Sequence, residues 1–272
     1  MGRLVFAGSS GVWGWHATET VLRCPQLFAY DHLIQLKFPS SKPLLLGSLV
    51  HAALAQHYRR KQADLEGTDI GEWATPAEGI TQTAESLGGE AFLYVNEAES
   101  VFDRYHAHYI GERVEPLGVE EVYETVIDGR RYTQRLDLVV READGKVYCW
   151  DHKNVGRIDA KVMTRYTLSG QFLGMNRLMR QRWGAEFGGV KLNLLSPDKF
   201  SRVVVNPAPH AMSQFETSVA HARNVLDTLI DRDPWDFPKA LSEQSCVTSY
   251  GTCKAFEVCR WGESVAEYKE QK

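Results

Sequence analysis

Nowhere in this sequence do eighteen apolar residues run together, so it offers no helical span for a bilayer. Positive charge is not in surplus either: 31 Lys and Arg stand against 35 Asp and Glu, a formal net charge of −4. That balance exerts no overall pull on nucleic acid, and any grip on a polyanion must come from a local basic surface. Cysteine is scarce, five in 272 residues, and odd in number. A disulfide framework is therefore not expected, and a reducing, cytoplasmic setting is. The first eleven residues carry one Arg and too short an apolar core for a secretory signal. No Cys-x2–4-Cys pair occurs, although structural zinc sites ordinarily use one.

A hydrophobic fraction of 43% over 272 residues is enough to bury a sizeable core, in one large domain with appendages. Its centre is Arg135 to Lys153, which reads as a β-hairpin. In Arg135-Leu-Asp-Leu-Val-Val-Arg141 the apolar Leu136, Leu138 and Val140 alternate with Asp137. After a Glu-Ala-Asp-Gly turn, Lys146-Val-Tyr-Cys-Trp-Asp-His-Lys153 puts Val147, Cys149, Asp151 and Lys153 on one face. Antiparallel pairing brings Asp137 toward Asp151. Two carboxylates at the end of a mostly apolar hairpin repel unless something positive lies between them. Hard oxygen ligands suit Mg²⁺ or Mn²⁺. Lys153 would then hold a water or offset charge on a phosphate. The competing reading makes the pair strand-end surface acids and Lys153 an edge lysine.

Around the hairpin the spacing predicts a helix over 18–36, capped by Thr18 and broken by Pro25 just after Cys24. A second helix over 44–60 holds His51 among apolar neighbours, with Gly47 one turn earlier to allow close packing on the sheet. Residues 62–89 read as a polar loop with little chemistry, 90–110 as a scaffold helix with surface histidines at 106 and 108. A strand over 119–127 places Glu120 and Glu121 on opposite faces, as solvated edge residues with at most one aimed inward. One helix over 159–183 follows, with Arg157, Lys161 and Arg165 spaced by four, then Arg177, Arg180 and Arg182. Six basic residues against one acid between Gly156 and Gly184 suit a phosphate-backbone surface. Strands at 190–195 and 202–205 and a helix over 211–230 complete an α/β (α+β) mixed sheet with flanking helices. Beyond 232, Cys246, Cys253 and Cys259 fall within fourteen residues of little periodicity, as a metal-ordered segment would. Three thiolates leave a four-ligand site one short, and Cys24 can complete it. Zinc and an iron–sulfur cluster both accept four thiolates, the spacings of six and five favouring the larger cluster. Cys149 reads as core.

These residues resemble, in order, the PD-(D/E)XK nuclease superfamily and its RecB-like branch. Asp137 and Asp151-His-Lys153 match the acid and D/E-x-K elements. Trp150-Asp151-His152-Lys153-Asn154 looks like the branch's hydrophobic-Asp-Tyr-Lys-Thr run, and Gly47, His51 and Leu54 match its Gly-x-x-x-His-x-x-Leu helix. Gln171 matches a helical Gln, while Met175 stands where a Tyr follows it. Cys24-Pro25 with the C-terminal trio resembles relatives bearing a 4Fe–4S cluster, including nucleases of CRISPR spacer acquisition. The resemblance implies a restriction-endonuclease-like core, with Mg²⁺ or Mn²⁺ held by His51, Asp137, Asp151 and the carbonyl of His152. Lys153 and Gln171 would act beside the cation, Arg157, Lys161, Arg165, Arg177 and Arg180 would hold DNA, and Cys24, Cys246, Cys253 and Cys259 would hold the cluster. It divides one nuclease domain into N-terminal helices (1–62), a helical insertion (63–110), a catalytic core (119–231) and a cluster segment (232–272). The implied activity is exonuclease action on single-stranded DNA or duplex ends, beside a helicase, recombinase or integrase. The alternative is a catalytically silent DNA-binding or partner-recruiting module with a structural metal cluster.

Overall fold

The computed structural model describes residues 13–248 and 251–262; the run read above for a signal lies outside them. In chain order the helices are α1 (Trp15–Arg23), α2 (Pro25–Phe28), α3 (Lys42–Glu66), α4 (Pro76–Leu87) and α5 (Val95–His108). Strands β1 (Val114–Ile127), β2 (Arg130–Glu142) and β3 (Val147–Asn154) follow, then α6 (Ala160–Thr167), α7 (Gly170–Trp183), β4 (Phe187–Leu195), β5 (Phe200–Val205) and α8 (Pro209–Asp227). The short α9 (Glu243–Cys246), β6 (Val247–Thr248), β7 (Gly251–Thr252) and α10 (Phe256–Trp261) end the described chain. No described helix is long and apolar enough to cross a membrane.

The chain divides into two compact units, and they interleave along it. One comprises residues 40–123 and 135–211. Its five-stranded sheet has the order β1-β2-β3-β4-β5. β2 and β3 are antiparallel with Leu138 opposite Trp150, while β3 and β4 are parallel, so α6 and α7 form the crossover between them. On one face Leu138, Val140 and Trp150 pack under α3, α4 and α5 with Leu49, Leu54 and Ile80. On the other, Val139, Val147 and Cys149 pack with Phe172, Met175 and Met179 of α7. Leu49 and Leu54 are fully buried, each side chain contributing about 1.5–3 kcal/mol by leaving water.

Several local expectations change here. The 62–89 stretch is not all loop, because Thr75 and Glu78 form a reciprocal capping box with Pro76 in the first turn and so start α4. The single helix expected over 159–183 is two, broken at Leu168 and Ser169, with Asp159 capping α6 through Val162 N–H. Arg157 therefore precedes the helix, and only Lys161 and Arg165 share the spacing of a stripe. Leu136 packs with Val139 on the α7 face, not with Leu138, so the strict alternation fails beside Asp137.

The other unit comprises residues 1–39, 124–134 and 212–272. Gly14, not Thr18, is the N-cap of α1, and the Thr18 hydroxyl donates to the Gly14 carbonyl. Cys24 is extended (φ −167°, ψ 108°) between α1 and α2, because Pro25 supplies no N–H to continue the first helix. Arg23 donates to the Ser245 carbonyl at 2.7 Å, and Gln26 donates from its backbone to Pro238 and its side chain to Pro234. These bonds, with Leu27, Tyr30, Ala255 and Val258 in one apolar cluster, join segments more than two hundred residues apart.

Candidate active site

α3, β1, β2 and β3 of the sheet-bearing unit meet along a groove of about 750 Å³. α3 brings His51 to its floor, since His51 is one turn from Gly47 and one from Ala55, both on the groove face. A Cβ on Gly47 would meet nothing within 4 Å, so this glycine keeps the groove open and does not serve the close helix–sheet packing expected of it.

His51 Nε2 lies 2.8 Å from the carbonyl oxygen of His152. A carbonyl only accepts, so Nε2 carries a proton. Nδ1 faces Asp137 Oδ2 at 3.5 Å. Asp137 Oδ2 also accepts the His152 N–H at 2.8 Å. Burial pushes the Asp137 carboxyl up, but the fields of His51, His152 and Lys153 and the His152 amide outweigh it and hold the group below the usual carboxylate range.

Asp151, fully buried on the α7 face of β3, is held differently. Its Oδ1 accepts from Gln171 Nε2 at 2.8 Å, and its Oδ2 stands 2.6 Å from Lys153 Nζ. Burial lifts its carboxyl to about 6 despite Lys153, with the charge of Asp137 adding to the rise. Lys153 is raised as well, because the two aspartates outweigh its own desolvation. The His152 ring points the other way, stacked on Tyr58 with Nδ1 2.7 Å from Asn193 Nδ2, and burial lowers it to about 3. His152 thus offers the groove a neutral residue's carbonyl, not its imidazole.

Glu120 is the residue the strand pattern misplaced. Its backbone is left-handed (φ 55°), which breaks the β1 alternation so that consecutive Gly118 and Val119 are both buried and Glu120 turns into the groove. Its side chain is 17% exposed and pairs with Arg135 Nε at 3.0 Å. Burial, then Asp137, push its carboxyl up, with Arg135 opposing. Among the described residues, His51, Glu120 and Asp137 are the group whose ligand atoms lie within 4.8 Å of one another. Oxygens and one imidazole nitrogen at that spacing suit a hard divalent cation. Gln82, Thr83 and Ser86 of α4 line the same groove, with the Thr-Pro-Ala-Glu cap as the one sequence signal of their helix.

Gln171 reaches Asp151. Met175, by contrast, is fully buried in the core, where a tyrosine hydroxyl would need a partner. Arg157, Lys161, Arg165 and Arg180 are exposed and Arg177 is half-buried; none lines the groove.

A model of the PD-(D/E)XK nuclease superfamily matches residues 15–260. The chain belongs to that superfamily. Its five-stranded mixed sheet with flanking helices is the restriction-endonuclease-like fold of PD-(D/E)XK nucleases. No curated protein sequence matches the chain. Among solved structures, the protein described as "Putative exonuclease" from Eubacterium rectale is 10% identical with a TM-score of 0.48, covering 85% of this chain and 86% of its own. SSO0001 is 14% identical with a TM-score of 0.33, covering 80% and 87%. At such scores neither likeness bears on function.

The four remaining candidate ligands lie in the other unit. Cys24, Cys246, Cys253 and Cys259 line one cavity of about 200 Å³ with Leu27, Ala255 and Phe256. No three of the sulfurs reach the 4.8 Å mutual spacing of the groove trio. Burial raises the Cys259 thiol. Cys149 is buried core, as expected.

Proposed function

We propose that the protein is a RecB-like, Mg²⁺- or Mn²⁺-dependent DNA exonuclease acting on single strands or duplex ends. The observation that carries this reading is that His51 from α3 lines one groove with Asp137 and Lys153 of the β2–β3 hairpin, while Asp151 lies buried against Lys153. His51, Asp137, Asp151 and the His152 carbonyl would hold the cation, which polarises a phosphodiester and acidifies a bound water. His51 Nδ1 and Asp137 Oδ2, 3.5 Å apart, fit that role because an imidazole nitrogen and a carboxylate oxygen at that spacing can share one hard cation. Lys153 Nζ, anchored on Asp151, would position the attacking water and offset charge gathering on the phosphate. Gln171 fixes Asp151 and so fixes Lys153 in turn. Lys161, Arg165 and Arg180 would grip the DNA backbone outside the groove, with Arg157 and Arg177 beside them.

Cys24, Cys246, Cys253 and Cys259 would hold a 4Fe–4S cluster, a reading supported by the cavity the four share. Its role would be structural, a clasp between distant segments, and a helicase, recombinase or integrase would supply the DNA end. Purified anaerobically and given 5′- or 3′-labelled single strands with Mn²⁺, the natural protein is expected to shorten them from one end. Asp151→Ala and Lys153→Ala should not. Equal degradation by all three proteins would sink the assignment, and tight strand binding without cleavage by the natural protein would make it a silent DNA-binding module.

A further inference from the structure

We propose that Glu120 is a further ligand of the catalytic cation, and that its ion pair with Arg135 is the contact the cation replaces, which frees Arg135 for a substrate phosphate. The inference rests on the nuclease reading of the groove and adds to it a coupling between metal loading and strand capture.

Three observations converge. The Glu120 carboxylate shares a 4.8 Å neighbourhood with the ligand atoms of His51 and Asp137, which the Asp151 carboxylate does not. The chain adopts a left-handed backbone at a non-glycine residue in mid-strand to place it there. Its partner Arg135 is 45% exposed and lines the groove, so the guanidinium has room to leave.

Charge decides what the pair is for. With Asp151 offset by Lys153, Glu120 and Asp137 are the two carboxylates of the trio and Arg135 returns one positive charge. A divalent cation ligated by both carboxylates balances them fully and leaves Arg135 with no counter-charge. A guanidinium is a planar fork that meets two oxygens of a phosphate, and the phosphodiester brings the one negative charge then missing. Glu120 thus exchanges a guanidinium for the metal, Arg135 exchanges a carboxylate for the strand, and neither charge is left buried alone.

Mn²⁺ binding without DNA, followed by the EPR signal of the free ion, tests the first exchange. Glu120→Gln should weaken binding at least about tenfold, the lower end of what even outer partners of a metal site cost. Glu120→Asp, which keeps the charge but withdraws the oxygen by a methylene, should weaken it nearly as much. Arg135→Gln should bind Mn²⁺ at least as tightly as the natural protein. In the presence of Mn²⁺ it should hold a fluorescent single-stranded oligonucleotide several-fold more weakly by anisotropy. Natural Mn²⁺ affinity in Glu120→Gln or in Glu120→Asp overturns the ligand, and unchanged oligonucleotide affinity in Arg135→Gln overturns the exchange. Asp137→Asn separates the two levels: if it too binds Mn²⁺ normally, the metal site falls with the inference, and if it alone loses Mn²⁺, only Glu120 is displaced. Should Glu120→Gln fail to fold, Glu120→Asp and Arg135→Gln carry the same test.

Discussion

In and beside the groove each buried carboxylate has its own partner: Asp151 has Lys153 and Gln171, Asp137 has the His152 amide, and Glu120 has Arg135. The cysteine cavity is built the other way, with four thiols among Leu27, Ala255 and Phe256, and burial pushing the Cys259 thiol away from the thiolate a metal requires. The groove is therefore settled before any cation arrives, and losing one ligand should cost chemistry more than stability. The cavity joins distant segments through a few hydrogen bonds and a small apolar cluster, so if it holds the proposed cluster, losing one thiol should cost stability more than chemistry.

The most direct way to break that contrast is Asp137→Asn. The amide oxygen can still accept the His152 N–H, so the melting temperature should stay within a few degrees. Cleavage should fall on the order of 10³-fold, equivalent to roughly 4 kcal/mol of charge stabilisation lost in the transition state. A variant that unfolds would show the groove to be held by its ligands after all. The mirror experiment is Cys253→Ser. It should remove absorbance near 400 nm and lower unfolding stability by about 3–5 kcal/mol, by analogy with other cross-links closing long loops. The folded fraction should cut DNA within a few-fold of the natural rate. Retained absorbance, or lost chemistry at retained stability, would merge the two regions into one functional unit.

The sequence made the hairpin legible because an Asp-Gly turn and period-two apolar residues are local signals, and Val147, Cys149 and Asp151 do share the α7 face. The helix break at Cys24 was legible for the same reason: a proline acts on its own turn. Glu120 was not, because a single left-handed residue reverses strand parity and nothing in Val-Glu-Glu-Val marks which residue takes that conformation. Nor was the division of the basic helix at Ser169, whose hydroxyl makes no cap bond. The cysteine set was readable by counting, but its shared cavity depends on bonds such as Arg23 to Ser245, between residues no periodicity relates.

A smaller effect sharpens the account of the groove's paired charges. With metal chelated away, Asp151 titrates at about 6 against an ordinary 3.8, mainly through burial. Between pH 4 and 6 the folded protein then keeps a proton that the unfolded chain has lost, so this carboxyl's contribution to stability declines as pH rises through that window. Two pKa units correspond to about 2–3 kcal/mol. His152, lowered to about 3, works in the opposite direction below 6.5, so the natural curve alone is ambiguous. The difference from Asp151→Asn is not. The variant's relative stability should climb from pH 4 to 6 and then level, whatever constant offset the freed Lys153 adds. Parallel urea-unfolding curves across that range would mean Lys153 already neutralises the carboxylate in the fold.

The gentlest test bears on the groove alone, through its α4 wall. A Cβ on Gly79 would stand 2.7 Å from Gln56 Cγ and 3.2 Å from the Ala52 carbonyl oxygen of α3. The Gln56 side chain can swing aside, but the carbonyl is fixed in α3, so α4 must shift by a few tenths of an ångström in Gly79→Ala. Helix propensity favours the alanine by about 1 kcal/mol, and overpacking opposes it by about 1–3. Stability should therefore drop by no more than about 1–2 kcal/mol. Gln82, Thr83 and Ser86 ride on the displaced helix, so KM for a single strand should change while the kcat set by Asp151 and Lys153 holds. A variant that gains stability with KM unchanged would place α4 outside substrate contact, and the groove would then be defined by α3 and the strands alone.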